Sequence, residues 1–128
     1  LLERLELADK RDKLGRELSK GMQQKLSIAC AMVHRPEVLI FDEPLVGLDP
    51  HAIKELKSIF RELRADGRAV LISTHMIDSV EDYWDVAHIM MNGEFAATRR
   101  ASDRTVSETE GRDLEDLFFA ITEGGEQA

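Results

Sequence analysis

Apolar residues at the start of the chain recur among charged ones at helical spacing. Leu2, Leu5 and Leu7 predict a short helix ending near Lys13 to Gly15. Ser19 suits an N-cap, and Leu26, Ala29, Cys30 and Val33 follow at i, i+3, i+4 and i+7, predicting a helix that Pro36 stops. The period then changes. Val38-Leu39-Ile40-Phe41 is an unbroken apolar run of strand length, which predicts a strand covered on both faces, as in a parallel sheet.

Asp49-Pro50 opens the next helix, with Asp at the N-cap and Pro at the first helical position. Ile53, Leu56, Ile59, Phe60 and Leu63 line one face of it, and Gly67 ends it. A second buried run covers Ala69 to Ser73, and a third, Val86 to Met91, follows a helix from about Met76 through Tyr83. Alternating strands and helices in this order build a parallel α/β sheet. Met91-Asn92-Gly93-Glu94 is a hairpin signal, so Glu94 to Thr98 is expected to return as an antiparallel edge. Arg99 to Gly111 reads as a polar linker, and Leu114, Leu117, Phe118 and Ile121 make a closing amphipathic helix.

At 128 residues and 43% hydrophobic content, the chain is long enough for one core. Its 17 Lys+Arg against 25 Asp+Glu give a net charge of -8, which argues against a nucleic-acid surface, because neutralising phosphates needs clustered cations. Most of the imbalance lies from Ser102 to Ala128, where eight acidic residues face two basic ones, a net of -6. The single cysteine, Cys30, excludes an internal disulfide and is expected to be a small buried hydrophobe. No apolar run approaches the roughly 20 residues that cross a bilayer, and no targeting pattern opens the chain, so a cytoplasmic type is expected. Its start at Leu1, directly within a charged helical pattern, reads as that of an internal fragment.

In α/β sheets ligands gather at the carboxyl ends of parallel strands. The first apolar run ends in Asp42-Glu43-Pro44 and the second in Thr74-His75, so in neighbouring strands these groups face one cavity. Asp42 is suited to hold hydrated Mg²⁺ beside a nucleotide, since this ion takes one or two carboxylates plus waters and phosphates. Glu43 is then placed to orient or deprotonate an attacking water. Alone, an Asp-Glu pair more often caps a solvated loop, and a lone His75 is more often a loop or core histidine.

The ordered set changes that balance. Leu18-Ser19-Lys20-Gly21-Met22-Gln23, Val38 to Pro44, Val46-Gly47-Leu48-Asp49 and Ser73-Thr74-His75 closely resemble, in order, the signature loop, Walker B strand, D-loop and H-loop of ABC-type ATPases. The resemblance covers about Glu17 to Gly93 and implies the C-terminal part of a P-loop (RecA-like) ABC ATPase domain. Residues 1-35 then belong to the helical subdomain with the signature loop, 36-98 to the catalytic α/β core, and 99-128 to an acidic linker and C-terminal helix.

The same resemblance implies residue roles. Asp42 binds the Mg²⁺ shell, Glu43 is the general base or water-positioning acid, and His75 contacts the γ-phosphate of ATP. Asp49 joins the contact between two ATPase domains paired head to tail. Ser19 and Gly21, with Lys20 between them, meet the nucleotide held by the opposite domain. Independently, the free N-H groups and positive dipole end of the helix after Ser19 favour a phosphate. Lys20 and Met22 depart from the commonest signature, Leu-Ser-Gly-Gly-Gln, while Ser19 and Gly21 are retained. The Ser-Lys-Gly-Met form and Leu114-Glu115-Asp116-Leu117-Phe118 resemble bacterial exporters whose ATPase is a separate polypeptide, which implies transmembrane permease partners and a position at the inner face of the cell membrane.

No glycine in the chain is followed by Lys, so the phosphate-cradling G-x-x-x-x-G-K-[ST] motif is not within it. The glutamine-bearing Q-loop that precedes the family's signature is also missing, and both are expected upstream of Leu1 or on a separate segment. Arg35, Lys54, Lys57 and Arg64 read as solvated cations, Tyr83 and Trp84 as packing residues, and His34, His51 and His88 lack zinc spacing. Two alternatives to a transporter ATPase stay open: a non-transport ABC ATPase acting on ribosomes or DNA, and a non-catalytic piece supplying only the signature surface.

Overall fold

The computed structural model describes residues 1–80, 83–103 and 113–126. Two compact units divide at His75/Met76, the first holding Leu1–His75 and the second Met76–Ala128.

The first unit is an α/β layer. Helix α1 (Lys20–Met32) starts where expected, with the Ser19 hydroxyl accepting the Met22 N–H at 3.2 Å. Strand β1 (Val38–Asp42) follows, then helix α2 (Pro50–Ala65) and strand β2 (Ala69–Ser73). Asp49 caps α2 by accepting the Ala52 N–H at 2.8 Å, Pro50 occupies the first helical position, and Gly67 (φ +77°) turns the chain out in a conformation that costs glycine nothing. The crossover through α2 brings β2 parallel to β1, in register from Val38 opposite Ala69 to Asp42 opposite Ser73.

Leu39 and Phe41 point from β1 into a core completed by Leu56, Ile59 and Phe60 of α2, with Phe41 and Phe60 ring centroids 5.2 Å apart. Leu56 is fully buried, and such a side chain stabilises the fold by about 1.5–3 kcal/mol. Arg4 reaches Glu55 at 2.6 Å and Glu62 at 2.5 Å, fastening the N-terminal segment to α2. Among the described residues no helix is long and apolar enough to cross a membrane.

Several expectations are corrected here. The segment before Gly15 forms turns and a 3₁₀ turn at Ala8–Lys10 rather than an α-helix, because Leu5 and Leu7 are both buried at a spacing that one helix face does not provide. The buried stripe of α1 is Lys25, Ile28 and Ala29, whereas Cys30 and Val33 are exposed. The helix is therefore rotated relative to the face read from its apolar spacing. β1 is covered on one face only: Leu39 and Phe41 are buried, Val38 and Ile40 exposed, and Leu71 of β2 is exposed as well.

The second unit holds a hairpin of β3 (Val86–Met91) and β4 (Glu94–Arg100), joined through Asn92 (φ +53°) and Gly93 (φ +80°) as a two-residue turn demands. A bulge falls where Ile89 opposes Ala97 and Met90 opposes Phe95. The α/β class, with a parallel sheet and an antiparallel hairpin, is as expected, but the hairpin is a two-stranded sheet of its own rather than an edge of the parallel one. Between Met76 and Tyr83 the described residues contain only a 3₁₀ turn, Ile77–Ser79, in place of the expected helix, and parallel pairing relies on a long crossover. The polar linker lies mostly outside the described residues. Helix α3 (Asp113–Glu126) closes the chain with Leu114 buried.

Candidate functional site

The parallel ladder builds the site. Its last rung runs beyond the strands, with the Glu43 N–H donating to the Ser73 carbonyl at 2.7 Å, so Glu43 and Thr74 leave the sheet side by side. Glu43 takes φ +48°, a left-handed conformation that costs a non-glycine residue roughly 1–2 kcal/mol, and such strain concentrates at functional sites.

Both oxygens of the Glu43 carboxylate are engaged across the strand ends. Oε2 accepts the Thr74 hydroxyl at 2.9 Å, and Oε1 accepts the His75 backbone N–H at 2.9 Å and lies 2.5 Å from His75 Nδ1. The Glu43 side chain is 31% exposed, whereas that of His75 is 79% exposed. Burial pushes the Glu43 carboxyl up, but hydrogen bonds from the His75 ring, the His75 N–H and the Thr74 hydroxyl outweigh it and hold the group below the usual carboxylate range. Glu43 is thus anionic at neutral pH and held in one orientation.

The other residues singled out in the sequence fall around this pair. Asp42 ends β1, exposed, opposite Ser73. Asp49 is committed to capping α2, a role that its sequence context already announced. Ser19, Lys20 and Gly21 form the start of α1; Lys20 is exposed, and a Cβ built on Gly21 would meet the Gly47 carbonyl at 3.2 Å, so glycine permits the close approach of the two loops.

Two contributors were missed. Thr74 was visible beside His75, but its partner becomes evident only from the strand register. Gln24 donates through Nε2 to the carbonyls of Glu43 at 3.1 Å and Pro44 at 3.0 Å, and a glutamine within a polar helix stretch gives no such signal.

A cavity of about 310 Å³ lies away from Glu43 and His75, lined among others by Arg4, Lys25, His51 and Glu55. It mixes both charges, and its arginine is already paired with Glu55 and Glu62.

A family model described as "AAA domain, putative AbiEii toxin, Type IV TA system" matches residues 10–77, the span from before the signature-like loop to beyond His75. "Octopine permease ATP-binding protein P" of Rhizobium radiobacter is 48% identical over 82 residues, 64% of this chain and 31% of that protein. "ABC-type transporter ATP-binding protein EcsA" of Bacillus subtilis (strain 168) is 40% identical over 105 residues, 81% of this chain and 42% of that protein. A solved "ATP binding subunit of ABC transporter" superposes with a TM-score of 0.82 at 35% identity, covering 94% of this chain and 51% of that one. This chain belongs to the ABC ATPase family.

The ABC ATPase chain described here spans between 31% and 42% of the length of these two curated relatives. "Bacitracin transport ATP-binding protein BcrA" of Enterococcus faecalis aligns over 96% of this chain at 34% identity, so the likeness also extends into the second unit. Within the ABC ATPase fold, Glu43, Thr74 and His75 form one hydrogen-bonded group in the first unit, and Asp42 sits one residue before it.

Proposed function

We propose that this chain forms the C-terminal part of a transporter ATPase subunit that binds and hydrolyses ATP to drive separate permease subunits at a membrane. The carrying observation is the Glu43 carboxylate, anionic and oriented by Thr74 and His75 at the tips of two parallel strands. An acid so held is suited to align a water against a phosphoryl group and take its proton. In this reading residues 1-35 belong to the helical subdomain, 36-98 to the catalytic core and 99-128 to the linker and closing helix.

Among the described residues no group of three His, Cys, Asp or Glu could by itself cage a metal. The exposed carboxylate of Asp42 at the tip of β1 fits Mg²⁺, which is held by one or two carboxylates together with waters and nucleotide phosphates. Asp42 is the residue to hold it, and the ion supplies neutralisation of phosphate charge when bound. Ser19, Lys20 and Gly21 present the start of α1 to the nucleotide of a second, head-to-tail ATPase domain, where free N–H groups and the helix dipole favour phosphate. Asp49 would join the same interface, and His75, whose side chain is exposed beside Glu43, would contact the γ-phosphate.

The phosphate nest and its lysine come from a segment outside this sequence, which has no Gly-Lys pair. Residues 1–128 alone are accordingly expected neither to hydrolyse ATP nor to bind it usefully. The test is a phosphate-release assay on the complete ATPase together with co-purification of permease subunits. Hydrolysis stimulated by a membrane partner supports the proposal; hydrolysis stimulated by ribosomes or DNA instead assigns the chain to the non-transport branch.

A further inference from the structure

Glu43 is the residue on which the proposed hydrolysis turns, yet its backbone is strained and it is followed by Pro44, whose ring leaves no N–H to anchor the turn. Something must hold this turn in place. The Glu43 N–H is tied to β2 through Ser73, and the carbonyls on the other side of the turn are held from α1 by one side chain: Gln24 Nε2 lies 3.1 Å from the Glu43 oxygen and 3.0 Å from the Pro44 oxygen. The contact is partly buried, where a hydrogen bond is weakened less by water than at an open surface.

The same helix makes a second approach three residues earlier. Gly21 comes so close to the Gly47 carbonyl that an added Cβ would lie 3.2 Å from it. Residues three apart share a helix face, so one face of α1, whose N-cap is Ser19, is hydrogen-bonded to the loop after β1 at 43–44 and lies close against it at residue 47. A displacement of α1 along or about its axis breaks the two Gln24 hydrogen bonds unless the Glu43 turn moves with it.

We propose that Gln24 is a positioning residue: it fixes the Glu43 turn to the first turns of α1, so that the placement of the catalytic carboxylate follows the placement of the Ser19–Gly21 segment. The inference rests on Glu43 acting as the water-orienting acid. On that reading a phosphate seated at the start of α1 and the carboxylate of the same chain, which serves a different nucleotide, are linked by one amide group. Signature engagement at one site thereby steadies the acid at the other.

The test uses the ATPase made of this chain with its P-loop segment, and four variants: Gln24→Met, which keeps length and loses the donor; Gln24→Glu, which keeps polarity and turns the donor into an acceptor facing two carbonyls; Glu43→Gln; and the Gln24→Met/Glu43→Gln pair. Steady-state ATP hydrolysis, thermal unfolding and slow single-turnover cleavage are measured for each. Both Gln24 variants are expected to lower kcat about tenfold with KM for ATP within about twofold of the parent, a loss confined to the step after binding. In the Glu43→Gln background, Gln24→Met is expected to remove less than about twofold more, because residues acting as one unit are not additive. Unchanged kcat in a folded Gln24 variant overturns the inference, as does the same tenfold loss on top of Glu43→Gln, which marks a merely structural role. Full turnover in the Glu43→Gln single variant removes the catalytic reading of Glu43 itself and this inference with it, and that variant alone reveals it.

Discussion

The Glu43 carboxylate and the His75 imidazole meet at 2.5 Å across the ends of two parallel strands, 32 residues apart in sequence. The His75 backbone N–H points to the same oxygen, so the pair is fixed by the ladder register and not by a chance rotamer. A proton donor on one side and a strained turn on the other leave the carboxylate little freedom.

Glu43→Gln keeps the size and much of the hydrogen bonding but removes the charge proposed to activate water. In the complete ATPase the expected loss of turnover is about 10²- to 10⁴-fold, while ATP still binds and holds the domains together. Phosphate release read beside size-exclusion chromatography with ATP checks both halves. Asp42→Asn is expected instead to weaken the Mg²⁺ dependence of binding, and turnover retained in the Gln variant moves the catalytic role toward His75.

Thr74→Val removes one of the hydrogen bonds that hold the Glu43 carboxyl low. Its pKa then rises, so the acid limb of the pH-rate profile moves to higher pH, and kcat at neutral pH falls about fivefold as the acid loses its orientation. The stability link has a defined sign. A carboxyl whose folded pKa is depressed stabilises the fold above the ordinary carboxylate range and loses that contribution as pH falls through the folded value. Thr74→Val therefore diminishes stability at neutral pH and narrows the loss on acidification, which denaturant titrations at neutral and acid pH would show.

Ser19→Arg places a long cation where a phosphate is expected to approach α1. Nucleotide loading of each separate domain should be nearly intact, while hydrolysis at the opposite site is lost. Mixed dimers with a single Ser19→Arg subunit decide it. Loss confined to that subunit's own phosphate site means that the signature acts in cis.

Asp49→Ala removes the cap of α2 and is expected to cost about 1 kcal/mol in denaturant unfolding, whereas Asp49→Asn retains the accepting oxygen and costs less. If Asp49→Asn preserves stability but reduces ATP-dependent pairing of domains, residue 49 serves the interface through its charge as well.

Most of the first unit was legible because its signals are local. Ser19 and Asp49 cap by their own side chains and Gly67 supplies a positive φ, just as Asn92-Gly93 dictates the tight turn of the second unit. The strand tips were legible too, because a strand's polar successors must leave the sheet together. What escaped depends on tertiary context: Cys30 is exposed and Lys25 buried because α1 is oriented by Gln24, Ile28 and Ala29 against the first unit, not by its own apolar spacing. Likewise Leu5 and Leu7 are buried in turns, whose irregular geometry no periodic template anticipates.

The one-sided sheet has its own consequence for mutational scanning. Along β1, truncation at Leu39 or Phe41 should cost about 2–5 kcal/mol, whereas truncation at Val38 or Ile40, whose side chains face water in residues 1–128, should be close to neutral. Sensitivity then alternates with a period of two. Any layer that comes to lie over the open side would abolish the alternation by making Ile40 as costly as Leu39, so a four-position scan of this strand is a compact gauge of when the sheet acquires its second covering.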